Sequence, residues 1–391
     1  MPLRVALVHS FYSSQQPSGE NLQVQAEAEA LERAGVDVTL LAYRTDELED
    51  DPLYRLRCAV RVATGWGASP LADLAALRPD VVHVHNLFPN LGRRWLSRLD
   101  LPVVLTLHNY RFVCVNGALF RDGRQCTDCP DGDRRAALRH RCYRGSLAAT
   151  LPLVVGQRSG PAADAALARA DRILCLSDRQ RRLLSGAGID PAKLVDWAGF
   201  LPRQLDPWDG HAAVGWAGAS SDRSGCLYVG RLSAEKGVLD LVRSWPNHMR
   251  LTVVGDGPLR AEVRRAARGR AVAVHGAIDR GTVLDLMARS AVLVVPGVTP
   301  EVAPLSHIEA LASGLPMVVR RTSELADRVS RYGVGLVVDQ LGEIPLATAR
   351  LATDEARRAR CRAVYEAMYT ERAWSARVLD LYADVVGARS R

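Results

Sequence analysis

The sequence predicts an α/β protein of two domains in series, each built on a parallel sheet with crossover helices. Three observations carry this. The chain has 391 residues, too long for one ordinary domain and suited to two of about 200 residues each. Hydrophobic residues make up 48% and charged residues 24%, with mean hydropathy near zero, which supplies two cores and excludes a disordered or fibrous chain. Short β-branched apolar runs alternate with helical spacing almost from end to end.

Residues 4–9 read as the first strand, and 21–34 as a helix stopped by Gly35. Strands follow at 36–41, 81–85, 103–107 and 170–176, with polar, turn-prone loops after 81–85 and 103–107. Residues 201–224 are rich in Pro, Gly, Asp, Ser and Trp and mark a break between domains. Alternation resumes with strands at 226–229, 250–254, 272–275, 292–295 and 316–319. Helices are expected from Ser233, after Pro258, from Arg280 and from Ser306, and again over 353–387. The domains are therefore placed at 1–200 and 223–370, with a linker at 201–222 and a terminal helix at 371–391. Open α/β sheets bind ligands at the C-terminal ends of their strands, and two such edges are expected to face each other across a cleft.

The net charge is +8, and all but Lys193 and Lys236 of the 51 basic residues are arginines spread along the chain. That spread argues against a nucleic-acid partner. The densest cluster, Arg134, Arg135, Arg139, Arg141 and Arg144, leaves peripheral contact with an anionic membrane face as an expectation. No window approaches the roughly 18 apolar residues of a membrane span, the longest quiet stretch being 147–156. No clear amphipathic membrane helix stands out. The first ten residues lack the features of a signal peptide, which predicts a cytoplasmic location.

Gly230-Arg231-Leu232-Ser233-Ala234-Glu235-Lys236-Gly237 follows a strand and opens a helix that Ser233 can cap. Such a helix start attracts anions, and Arg231 and Lys236 add two positive charges, so a phosphate group suits it. Otherwise it is a solvated helix start. Glu301 and Glu309 are separated by seven residues; Ser306-His307-Ile308-Glu309 also reads as a capping box, and Glu301 as an exposed loop acid.

Taken in order, these motifs, with Val254-Gly255-Asp256-Gly257-Pro258 and the run Ala310-Leu311-Ala312-Ser313-Gly314-Leu315-Pro316, resemble the retaining glycosyltransferases of family 4, which have the two-domain GT-B fold. Val81-Val82-His83-Val84-His85-Asn86, Thr106-Leu107-His108-Asn109-Tyr110 and Pro17-Ser18-Gly19 look like the same family's N-terminal motifs. A terminal helix bearing Trp374 and Tyr382 looks like the one that crosses back onto the N-terminal domain.

The resemblance implies a nucleotide-sugar donor as substrate, UDP- or GDP-linked, and an acceptor left open between a small-molecule natural product and a lipid-linked or polysaccharide chain. Arg231 and Lys236 would hold its diphosphate, Glu309 the ribose, and Glu301 the donor sugar. Backbone N–H groups of Leu305 and Ser306 would touch phosphate, with Gly257 in the adjoining turn, and Ala277 and Ile278 would meet the base. Gly19 would let the N-terminal backbone approach the diphosphate. His108 would sit near the reacting carbon. Glu20, His85, Asn86 and Asn109 fall on the acceptor side, with His83 structural. The chain departs from the pattern at Val302 and Glu20, which bears on sugar identity. No catalytic metal is expected, since the cationic side chains would neutralise the leaving diphosphate in its place.

Alternatives are a nucleotide-sugar epimerase or phosphorylase on the same fold, or a non-catalytic nucleotide-sugar-binding module. A dinucleotide dehydrogenase is disfavoured, because no G-x-G-x-x-G follows the first strand. Cys114, Cys126, Cys129 and Cys142 punctuate a polar segment that is expected to lack an apolar core, so a structural zinc, disulfides or free thiols all stand open.

Overall fold

A computed structural model describes residues 2–12, 19–206, 223–299, 302 and 305–389. Glu301, Pro17, Ser18 and linker residues 207–222 lie outside the described residues. The chain divides into two compact units. The first holds residues 1–119, 126–198 and 375–391; the second holds 120–125 and 199–374.

In the first unit the chain runs β1 (Arg4–Phe11), α1 (Gly19–Arg33), β2 (Asp37–Arg44), α2 (Thr45–Leu48), α3 (Tyr54–Thr64), α4 (Leu71–Leu77), β3 (Val81–Asn86) and β4 (Val103–Leu107). After a short hairpin of β5 (Phe120–Arg121) and β6 (Arg124–Gln125) come α5 (Ala136–Arg139), α6 (Leu147–Gly156), α7 (Ala165–Arg169), β7 (Arg172–Cys175), α8 (Asp178–Gly186) and β8 (Leu194–Asp196). The hairpin belongs with the second unit, where the Gln125 amide donates to the Thr322 carbonyl at 2.9 Å.

The sheet of the first unit is parallel, in the order β2-β1-β3-β4-β7-β8. β3 and β4 are buried along their whole length, as apolar strands covered on both faces must be. Val8, Val82, Val84, Leu105 and Ile173 centre the core, with Trp95, Leu96 and Leu167 packed from one side. Side-chain caps start the helices: Ser146 accepts from the Ala149 N–H, and Ser177 from that of Gln180.

The second unit contains β9 (Cys226–Val229), α9 (Val238–Ser244), β10 (Leu251–Val254), α10 (Arg260–Ala267), β11 (Val272–Val274), α11 (Arg280–Arg289) and β12 (Val292–Val295). It continues with α12 (Leu305–Ala312), β13 (Met317–Arg320), α13 (Leu325–Tyr332), β14 (Gly335–Val338), α14 (Ile344–Leu351), α15 (Glu355–Met368) and the start of α16 (Glu371–Arg389). The parallel order is β11-β10-β9-β12-β13-β14. Winding goes outward from β9 to β11, returns, and goes outward again from β12. The crevice between β9 and β12 is thus a topological switch point. In the first unit the equivalent point lies between β1 and β3.

The prediction of two parallel-sheet α/β domains is borne out. α16 ends in the first unit, where the Tyr382 hydroxyl is hydrogen-bonded to His83 Nδ1 at 2.7 Å. Trp374 belongs to the second unit, where it stacks on Phe200 with centroids 4.6 Å apart. Among the described residues no helix is long and apolar enough to cross a membrane.

Candidate functional site

The loops after β9, β10, β11 and β12 carry the residues that the sequence assigned to the donor. After β9 the chain makes a 3-10 turn, Ala234–Lys236, before α9 begins at Val238. Ser233 stands at the cap position, yet its side chain accepts no cap bond; its hydroxyl donates to the Glu235 carboxylate instead. The cap expected there is therefore absent, because the neighbouring carboxylate takes the hydroxyl.

Gly237 has φ of +67°, and a Cβ there would lie 2.5 Å from the Pro296 carbonyl oxygen. This glycine lets the β9 loop close against the β12 loop. The closure is sealed by the Val298 N–H donating to the Glu235 carbonyl at 3.1 Å. Gly257 packs as closely on the other side: a Cβ would meet the Leu232 carbonyl oxygen at 2.5 Å. The Leu232 N–H donates to the Asp256 carbonyl at 2.9 Å. Arg231 is exposed on this knitted platform and Lys236 half-buried.

Ala277 and Ile278 occupy the loop between β11 and α11. Leu305 and Ser306 are the first two residues of α12. Glu309 is buried on its second turn, so it cannot close a capping box with Ser306, which already lies inside the helix. Instead Glu309 Oε1 accepts from Arg280 Nε at 2.6 Å. Arg280 was not singled out as a site residue in the sequence. It heads α11, whose start is capped by Asp279, and that cap was the local signal available.

In the first unit four histidines converge at the C-terminal ends of β1, β3 and β4. His83 Nδ1 is bonded to Tyr382 and its Nε2 to Thr106 Oγ1 at 2.7 Å. Both nitrogens are spent, which makes His83 a tie between strands and α16. His85 Nδ1 is bonded to His108 Nε2 at 3.0 Å, and His85 Nε2 lies 3.5 Å from the Glu27 carboxyl on α1. His9 Nε2 is bonded to Asn21 Oδ1 at 3.0 Å. Glu27, His83 and His85 bring ligand atoms within 4.8 Å of one another. The hydrogen bonds already made by His83 identify them as a polar network rather than a metal centre.

Burial dominates the protonation of this network. It pushes His9 down to about 4 and His83 and His108 to about 3, with neighbouring histidines lowering His108 further. His85 falls well below its ordinary value for the same reasons. Burial also lifts Glu27 to about 8, against a weaker pull from Gln23. Glu20, in the first turn of α1, is lifted by burial to about 7, with Arg111 and Asn86 opposing. Near neutral pH the imidazoles are uncharged. Such a surface suits hydroxyl groups better than anions.

Beside it opens a pocket lined by polar His85, Asn86, His108 and Asn109, by apolar Leu87, Phe88, Leu91 and Leu105, and by charged Arg61, Arg93, Arg111 and Asp164. Asn86 and Asn109 are set by their own turns, each Oδ1 accepting the N–H two residues ahead at 2.9 Å. Arg111 lies over the Phe88 ring at 4.1 Å.

The cysteine segment differs from its expectation. Val115, Cys129, Ala137 and Leu153 form a small core, with Val62, Phe88, Cys142 and Tyr143 packed against it. Distant elements supply the apolar contacts that the local sequence lacks. None of the four cysteines is in a disulfide, and burial, then the Cys114 thiol, pushes Cys129 up to about 11. Tetrahedral zinc with bonds of about 2.3 Å needs sulfurs roughly 3.8 Å apart. The thiols of Cys114, Cys142 and Cys126 all act on Cys129, so the four cysteines are neighbours in the fold.

Comparison with known proteins agrees with this layout. The family pattern described as "Glycosyl transferase 4-like domain" matches residues 18–195, and that described as "Glycosyl transferases group 1" matches 223–354. A GDP-mannose-dependent alpha-(1-6)-phosphatidylinositol dimannoside mannosyltransferase of Mycobacterium tuberculosis is 37% identical over 111 residues. That match spans 27% of this chain and only 29% of the relative's length. Among solved structures, sucrose-phosphate synthase from Thermosynechococcus elongatus superposes with a TM-score of 0.67 at 20% identity, covering 99% of this chain and 100% of that one. Anabaena HepE in complex with UDP-glucose gives 0.60 at 14% identity, covering 98% and 100%. These structural likenesses speak to the fold.

Proposed function

This chain belongs to the family-4-type glycosyltransferases, and on that footing we propose that it transfers a sugar from a nucleoside diphosphate to a hydroxyl acceptor, with retention at the anomeric carbon. The observation that carries the reading is the gathering of a cationic, glycine-knit loop and two helix starts at the switch point of the second unit. Arg231 and Lys236 would neutralise the diphosphate as it leaves, the largest charge that develops in such a reaction. Backbone N–H groups at Leu305 and Ser306 would add to it. Glu309, fixed by Arg280, would accept hydroxyl hydrogen bonds from the ribose. Ala277 and Ile278 would border the base. Glu301 keeps its assignment to the donor sugar, and Gly19 its assignment beside the diphosphate.

The pocket of the first unit would take the acceptor. Its neutral histidines and asparagines present hydrogen-bond partners to a hydroxyl, with Arg61, Arg93 and Arg111 also on its lining. His108 would meet the reacting hydroxyl, held by His85 and, behind it, by the Glu27 carboxyl. Glu20 would border the acceptor. The C-terminal unit's cations do the work that a divalent metal does in other transferases, so no catalytic metal enters this scheme.

Incubation with UDP- and GDP-linked hexoses plus alcohol acceptors, read by NMR of the new anomeric proton, tests the proposal. Transfer with retained configuration is expected. Interconversion of the donor sugar without any acceptor would move the assignment to an epimerase. Nucleotide binding with no turnover across the panel would move it to a binding module.

A further inference from the structure

The acceptor pocket has an unusual wall. α3 and α6 lie side by side, and Gly156 permits the approach, since a Cβ there would stand 2.4 Å from the Val62 carbonyl oxygen. Arg93 fastens their C-terminal ends together. It donates to the Val62 carbonyl at 3.1 Å and to the Gly156 carbonyl at 2.7 Å, and pairs with Asp164 at 2.8 Å. Arg61, Val62, Leu153 and Gly156 from these ends line the pocket.

The outer faces of the same helices are apolar and uncovered. Leu53, Leu56 and Val60 fall on one face of α3 and its N-terminal edge, at 50%, 62% and 51% exposure. Leu147 and Leu151, one turn apart on α6, are 54% and 50% exposed. With Trp66 they account for six of the nine large apolar side chains exposed among the described residues. An ordinary soluble surface scatters such residues; here they collect on one helix pair.

The two helices and residues 134–163 carry only basic charge, with acids just outside them at Asp46, Glu47, Glu49, Asp50 and Asp51 and at Asp131 and Asp133. Residues 54–72 contain Arg55, Arg57 and Arg61 and no acid. Residues 134–163 contain six arginines and no acid. Arg94 and Arg98 stand over the Trp66 ring at 5.4 and 5.3 Å. Three carboxylates answer part of this charge, Asp51 to Arg57, Asp133 to Arg139 and Asp164 to Arg93. Apolar side chains ringed by arginines match the interfacial zone of an anionic bilayer, where apolar groups enter the acyl boundary and guanidinium groups meet phosphate. A second copy of the same basic face would repel the first.

We propose that the α3–α6 face docks on an anionic phospholipid leaflet and brings the pocket to an acceptor held in that leaflet. The acceptor half of this proposal rests on the glycosyltransferase reading; the docking half does not. No helix needs to cross the membrane for it, because the apolar stripes are short and lie in the plane of the surface.

The test is co-sedimentation of the full chain with phosphatidylcholine vesicles, with and without phosphatidylglycerol, in low and high salt. Binding at least about tenfold stronger to the anionic vesicles, and weakened by salt, is expected. The double variant Leu56→Glu, Leu151→Glu should lose that gain while its melting temperature and its UDP or GDP affinity stay at the parent values. Equal binding to both vesicles, or an unchanged double variant, overturns the docking proposal. So does light scattering that shows a dimer broken by the same substitutions. Nucleotide titration on the same samples separates the two claims: vesicle binding without nucleotide binding sinks the transferase reading alone, and the reverse sinks the docking alone.

Discussion

Lys236 is one of only two lysines in the chain, and it closes a turn whose backbone is pinned on both sides by glycine contacts. Its ammonium is compact and its position is set by the loop, so its loss removes charge from a fixed place. Lys236→Ala should lower turnover at least tenfold, about 1.4 kcal/mol of barrier, with folding unchanged. Lys236→Arg should restore part of the rate, since the charge survives though its geometry does not. Steady-state kinetics of both variants checks this. The buried acids and histidines of the first unit predict a stability profile. Glu27 and Glu20 hold protons to about 8 and about 7, against 4.5 for a free carboxyl. The folded chain keeps protons that the unfolded chain has released, so stability falls as pH rises from about 4.5 to about 8. The histidines act in the opposite sense. His9, His83 and His108 refuse protons until about 4 or 3, while the unfolded chain takes them near 6.5, so stability also falls as pH drops below about 6.5. Thermal melts should show Glu27→Gln flattening the alkaline arm and leaving the acid arm alone. An unaltered alkaline arm would remove the neutral-carboxyl assignment.

At the scale of elements, the β9 and β12 loops form one unit of structure because Gly237 has no side chain. Gly237→Ala combines a left-handed backbone with a contact against the Pro296 carbonyl. It should cost more than about 1 kcal/mol of stability, read by denaturant unfolding, and weaken nucleotide binding as the loops part. Most of these elements were legible in the sequence. Continuous β-branched runs such as Val103–Leu107 and Val292–Val295 are what strands buried on two faces need. The helices of the first unit's long connections were not. In α3 the apolar residues Leu56 and Val60 point outward, the reverse of the usual pattern, so the spacing gives no core face. In α6 the apolar stretch carries Pro152 inside the helix. The site was legible only where its chemistry is local. Gly230 to Gly237 gathers its glycines and cations within eight residues, whereas the pair Arg280–Glu309 joins residues 29 positions apart and has no local signature. The core under the cysteine segment was hidden likewise, since Val62 and Leu153 reach it from α3 and α6.

At the scale of the whole molecule, the two units offer different chemistry. The second offers cations and helix starts at its switch point; the first offers neutral imidazoles and amides beside a largely apolar pocket that Arg61, Arg93 and Arg111 also line. An anion and a hydroxyl compound would sort themselves accordingly, which is why the overall charge of +8 matters less than its placement. Everything in the account depends on where the diphosphate binds. The direct measurement is calorimetric titration of UDP and GDP into the parent chain and into the double variant Arg231→Ala, Lys236→Ala, with uridine and guanosine as controls. The account predicts saturable binding of at least one diphosphate to the parent, weakened about a hundredfold or more in the variant if each cation contributes about tenfold, with the nucleosides barely affected. Equal diphosphate affinity in parent and variant would contradict it.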